Sequence, residues 1–314
     1  MIYESVVAQL VPPYAPETYL RVVEERRTPR GDLPYEPTVA NMWAAALRAR
    51  TAERMREDER LEEALYRTAL VGTGIFQTLG RGRSGDMPPV DGYQFGVVLF
   101  TGGRARGQAG EVEVDGVAFP VVEQRMQIEP HRFVSDGRIA AYDINADPPV
   151  GITAGHVVDA HRPGDRVPLR CERGGGARLL RCAPGYVDAA LVEMECHCAP
   201  VGPVAARPVG VGDAVQLHLG RRKVVPTRVM MAVDAQPLLS AAVPQNFLTS
   251  EWGRPGQSGS LVSTTSSEPC GIYLGKHNAE DEDGRWSTYG HAGDLRQAAR
   301  LLGVDPDLLG VLDA

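Results

Sequence analysis

The chain lacks any apolar run approaching the roughly 18 residues that a membrane-spanning helix needs. Its start, Met1-Ile2-Tyr3-Glu4-Ser5, has neither the basic stretch nor the apolar core of an export signal. The expectation from these absences is a cytoplasmic protein with no membrane partner. An excess of positive charge is also missing: the net charge is −7, which argues against general binding of nucleic acid or anionic membranes. The Arg-Gly stretches at 102–110 and 172–178 have no interleaved aromatics on which bases could stack, so mobile β-loops are the plainer reading. Lysine is nearly absent beside arginine, which is read as coding bias.

Cysteine is sparse and odd in number: Cys171, Cys182, Cys196, Cys198 and Cys270 cannot all pair, and a reducing compartment would keep them as thiols. Cys196-His197-Cys198 has the residue types of a zinc ligand set. Alternate residues of a strand point to opposite faces, however, and no C-x-x-C partner exists, so no metal and no cofactor are expected.

What is present falls into two stretches. Residues 1–75 read as a helical module, with a short helix at Pro16–Arg27 and a long one from Val39 to about Leu70 behind a Thr38 N-cap. Trp43, Leu47, Leu61, Leu65 and Ala69 form an apolar stripe on the long helix. The module is read as a cap on the rest of the chain or as a docking site for a regulatory protein partner. Residues 76–92 read as a linker, with Gly72 to Pro89 rich in turn formers. From Tyr93 onward short strand-like runs alternate with turns. The set Val97–Phe100, Glu111–Val122, Arg138–Ile144, Val150–Ala154, Val167–Cys171 and Val187–Met194 would make one barrel, over about 93–200. Val215–Leu219, Thr227–Val233, Phe247–Ser250, Gly259–Ser263, Gly271–Leu274 and Trp286–Tyr289 would make a second, over about 201–291. A terminal helix follows at about 292–303. An apolar share of 43% supports a sizeable core.

Three motifs carry chemistry: Thr153-Ala154-Gly155-His156, Asp188-Ala189-Ala190-Leu191-Val192 and Pro255-Gly256-Gln257-Ser258-Gly259-Ser260. A serine hydroxyl needs an adjacent imidazole to take its proton, and the imidazole needs a carboxylate to fix its tautomer. His156, Asp188 and Ser258 supply those types. The flanking glycines would let the backbone N–H groups of Gly256 and Ser258 converge on an oxyanion.

In the order His, Asp, Ser these motifs resemble the chymotrypsin-like serine peptidases, and the gaps of 32 and 70 residues resemble compact bacterial members such as glutamyl endopeptidases and Deg-type proteases. The resemblance covers roughly residues 90 to 303. It implies a mainly β fold, a double β-barrel with the N-terminal helical module added, and an active site between barrels. The implied activity is that of a trypsin-like serine endopeptidase, cleaving a protein or peptide substrate through an acyl-enzyme. A protease fold retained as a silent binding or scaffold module is the alternative. Glu251 or Trp252 would form the base of the primary pocket, and Tyr273, Leu274 and Gly275 a wall of the cleft. The acidic run Glu280–Asp283, taken to lie beside the cleft, tilts the expectation towards cleavage after Arg or Lys. Gln257 stands where animal enzymes carry an aspartate, so activation by a freed N-terminus is not expected. The strand Gly271–Gly275 has no serine to steady Asp188.

Overall fold

The computed structural model describes residues 37–54, 57–79, 91–114, 116–130, 137–167, 169, 176–184, 187–195, 200–220, 223–235 and 245–312. Helix α1 spans Pro37–Arg54 and α2 spans Glu59–Tyr66. Ala40, Ala44, Leu47 and Thr51 recur every three or four residues on one face of α1 and are all buried. The long helix expected to Leu70 is therefore two helices. The amides of Glu57 and Asp58 both donate to the Arg54 carbonyl, and Asp58 Oδ1 accepts from the Leu61 amide at 3.4 Å, a side-chain cap that starts a new helix. The expected helix at Pro16–Arg27 lies outside the described residues.

At Thr68 the chain turns to strand. β1 (Thr68–Leu79) pairs antiparallel with β2 (Asp91–Thr101), so the helical stretch gives way to sheet before residue 75. Two glycines read as turn formers serve close approach instead. A Cβ at Gly72 would sit 2.9 Å from the Phe100 ring, and one at Gly74 only 2.4 Å from the Met230 carbonyl oxygen, where φ is +144°. Then come β3 (Gly107–Val114) and β4 (Val117–Pro130), an antiparallel pair in place of the single run at 111–122.

β5 (Ala141–Asp143), β6 (Val150–Thr153), β7 (Arg166–Val167), β8 (Ala177–Cys182), β9 (Ala190–Met194), β10 (Val201–Val204) and β17 (Leu309–Val311) form a seven-stranded sheet in the order β10-β17-β5-β6-β9-β8-β7. The remaining strands are β11 (Ala214–His218), β12 (Val224–Ala235), β13 (Asn246–Thr249), β14 (Leu261–Thr264), β15 (Pro269–Glu280) and β16 (Trp286–Asp294). They join β1–β4 in a ten-stranded sheet, β11-β14-β15-β16-β13-β12-β1-β2-β4-β3, with further pairings β11–β12 and β15–β4.

Two expectations are corrected here. The runs at 97–100 and 111–122, assigned to the first barrel, belong to the larger sheet. In the smaller sheet the outer strands β10 and β7 do not pair with each other among the described residues, so a closed first barrel is not formed. The expected terminal helix is present as α3 (Leu295–Leu301), N-capped by Asp294, whose side chain accepts from the Gln297 amide at 2.7 Å.

Four apolar clusters hold these parts together. The largest joins α1 and α2 to β1, β2, β12 and β13 through Leu47, Leu61, Ile75, Phe100, Met231 and Leu248. Arg48 of α1 also reaches into the sheet, with Nε 2.5 Å and Nη2 3.0 Å from the carboxylate of buried Asp234. A second cluster lies between the sheets and brings Ala154 and Ala189 against Leu274.

Candidate active site

β6 ends at Thr153, and a single 3-10 turn over Gly155–Val157 carries His156. β6 pairs with β9 with Thr153 opposite Ala190, which sets Asp188 beside that turn. The His156 amide donates to Asp188 Oδ1 at 2.7 Å, and His156 Nδ1 lies 2.7 Å from Oδ2. One carboxylate thus grips both the backbone and the ring of the same residue. Position 155 must be glycine, since a Cβ there would lie 2.9 Å from Asp188 Oδ1 and 3.0 Å from the Ala189 nitrogen. Burial pushes the Asp188 carboxyl up, but the His156 hydrogen bonds and charge outweigh it and hold the group below the usual carboxylate range.

Ser258 sits on a tight turn between Gly256 and Gly259, both at φ +85°. The turn is bracketed to the other sheet by Arg138, whose amide donates to the Ser258 carbonyl at 2.9 Å. The Arg138 carbonyl accepts from Thr153 Oγ1 at 2.6 Å, three residues before His156. A Cβ at Gly259 would fall 2.1 Å from the Arg138 carbonyl oxygen and 2.5 Å from Thr153 Oγ1, so the serine turn and the histidine strand touch through a glycine. The Ser258 loop is also stapled from within. Gln257 Oε1 accepts from the Arg254 amide at 2.5 Å, Gln257 Nε2 donates to the Leu219 carbonyl at 2.6 Å, and the Gly253 amide donates to the Tyr273 hydroxyl at 2.8 Å.

Ser258 is 2% exposed, and its Oγ donates to the Leu274 carbonyl at 3.0 Å. His156 Nε2 is buried and has no partner among the described residues. The amides of Gly256 and Ser258 make no hydrogen bond among the described residues.

The expected pocket residues separate into two groups. Tyr273, Leu274 and Gly275 lie on β15 beside Ser258, with Gly275 at a register shift. Glu251 and Trp252 are exposed, Trp252 at 44%. The acidic run does not lie beside the nucleophile. Glu280 ends β15 six residues beyond Leu274, about 20 Å along a strand, where it pairs with Arg125 at 3.1 Å. Cavities of about 640 and 510 Å³ lie at that far end, between Gly103–Arg106 and the 280–284 turn. The ground for preferring Arg or Lys before the scissile bond is thereby removed.

Sequence reasoning gave no role to Arg138, and it quoted Thr153 only as the start of the histidine motif and Leu274 only as a cleft wall; the contacts that join them to Ser258 and Arg138 run through backbone groups or a hydroxyl. His277 and His291 belong to none of the three sequence motifs. Both are buried, with ring centroids 5.9 Å apart, and burial lowers them to about 3 and about 4. Cys182 and Cys270 are free thiols, while Cys171, Cys196, His197 and Cys198 lie outside the described residues.

No family model matches the chain, and no curated protein does. Among solved structures it is similar to bacterial serine proteases of the chymotrypsin-like kind. Nocardiopsis protease is 15% identical, with a TM-score of 0.36 over 56% of this chain and 92% of that one. A glutamic-acid-specific serine protease is 13% identical, with a TM-score of 0.36 over 65% and 98%. Thermobifida fusca protease A is 13% identical, with a TM-score of 0.37 over 56% and 91%.

Proposed function

We propose that the chain is a serine peptidase in which Ser258 is the nucleophile, His156 its base and Asp188 the group that orients the base. The observation that carries this reading is the double hydrogen bond from His156 to Asp188, with the Ser258 turn bracketed through Arg138 to Thr153 at the end of β6, three residues before His156. With Oδ2 accepting from Nδ1–H, Nε2 is left unprotonated and able to take a proton. Ser258 Oγ would leave the Leu274 carbonyl, give its proton to Nε2 and bond to the carbonyl carbon of the substrate. Collapse of the tetrahedral adduct breaks the C–N bond, and the proton passes from Nε2 to the departing amine. Water then adds to the acyl group by the same path and frees Ser258. The Gly256 and Ser258 amides would bind the oxyanion in both halves.

Ser258 is buried and bonded to Leu274 rather than to His156, which favours the second reading, a silent scaffold. Covalent labelling by an alkyl fluorophosphonate separates the two. The expected result is a single adduct on Ser258, lost in Ser258→Ala and in His156→Ala. An intact protein that stays unlabelled would favour the scaffold. A regulatory partner docking on the N-terminal helices, around Trp43 to Leu70, is proposed as a restraint on the enzyme. Reversing charge at exposed positions of α1 and α2, Arg50→Glu with Glu63→Lys, should then change cleavage of the cellular target but not of a small ester.

A further inference from the structure

A strand has two edges, and a polypeptide approaching Ser258 in extended form must find a free one. The edge nearest the nucleophile belongs to β15, because Ser258 Oγ bonds to the Leu274 carbonyl. One side of β15 is paired with β16 from Gly271 to Glu280. On the other side β14 covers Pro269 to Ile272. Tyr273 follows, exchanging hydrogen bonds with the nucleophile segment: the Gly259 amide donates to its carbonyl and its own amide donates to the Ser260 carbonyl, each at 2.8 Å. Leu274 then meets Ser258 Oγ. From the next residue β4 takes over in unbroken antiparallel register, Gly275 opposite Pro130 through Glu280 opposite Arg125. Among the described residues, Ser258 therefore sits in the one gap between β14 and β4, and that gap is about a residue long.

β4 is not a loose flap over this edge. It also pairs with β2 and β3, and Val121 and Met126 pack on the largest apolar cluster. Its pairing with β15 completes a circuit of hydrogen-bonded neighbours through β16, β13, β12, β1 and β2. Inside that circuit lie Phe100, Leu248, Tyr289 and fully buried His277, which stands opposite Ile128 of β4. Lifting β4 off β15 would open this core to water.

Resting on the peptidase reading, we propose that the acyl side of the site is short. Substrates carry about one or two residues before the scissile bond, and β4 acts as the end wall, so the enzyme trims near the amino end of a chain or removes small acyl groups. β4 would be a specificity-determining element, set about one residue beyond the nucleophile contact.

The test uses the full chain and diphenyl phosphonate probes bearing one, two or four residues, each with mixed terminal side chains, alongside the alkyl fluorophosphonate. The one- and two-residue probes should label Ser258. The four-residue probe should react about 10²-fold more slowly, the usual cost of a small misplacement of reacting atoms. Equal or faster labelling by the four-residue probe overturns the inference while leaving the peptidase reading intact. Should it label with loss of hydrogen-exchange protection at residues 126–128, β4 is a displaceable strand and the wall is refuted. Failure of every probe, the fluorophosphonate included, refutes the peptidase reading and this inference with it.

Discussion

Replacing Asp188 by asparagine tests the grip on His156 with almost no change of shape. The carboxylate serves two donors, the His156 amide at Oδ1 and the ring Nδ1 at Oδ2, each at 2.7 Å. Asparagine has only one acceptor oxygen. The backbone amide cannot give up its proton, so it should retain that oxygen, and the new NH2 group would face Nδ1. The ring can accommodate this only by moving its proton to Nε2, the atom that must accept from Ser258. The charge that would stabilise the imidazolium is lost as well. Wrong-tautomer variants of this kind lose about 10⁴ in kcat, or about 5 kcal/mol of barrier. Burst kinetics on an activated ester would show the acylation phase reduced by that factor, with the melting temperature little moved because the backbone hydrogen bond survives. A loss under about tenfold in a folded protein would refute the assignment of Asp188.

Three further outcomes are expected. Arg48→Met should destabilise the fold by about 3–5 kcal/mol in urea unfolding, because it leaves the carboxylate of Asp234 buried without its cation; adding Asp234→Leu should recover much of the loss. Asp294 is raised from 3.8 to about 6, chiefly by burial, so the folded chain holds its proton more tightly than the unfolded one. Its contribution is complete below pH 3.8 and is lost as pH rises through about 6; Asp294→Asn, which can still cap α3, should add up to about 3 kcal/mol at pH 8 and little at pH 4. Deleting residues 1–75 should unfold the protein, read by circular dichroism, because it removes most of β1 with buried Val71 and Ile75.

The His156, Asp188 and Ser258 motifs, the turn glycines and most strands from Val150 onward were legible because their constraints are local. Proton transfer demands particular side chains, a positive φ demands glycine, and a half-buried strand shows its period in the residues themselves. Thr68–Leu79 reads as the end of a helix followed by turns, because Gly72 and Gly74 look like turn formers until Phe100 and Met230 are seen lying against them. Tertiary structure alone decided that β2–β4 join the sheet that contains β15, and that Asp188 is held by the backbone amide as well as the ring of His156. It alone placed the acidic run at the far end of β15 and β4 across that strand's free edge. Each of these depends on which backbone amide meets which carbonyl across many intervening residues, and every residue but proline offers the same amide and the same carbonyl.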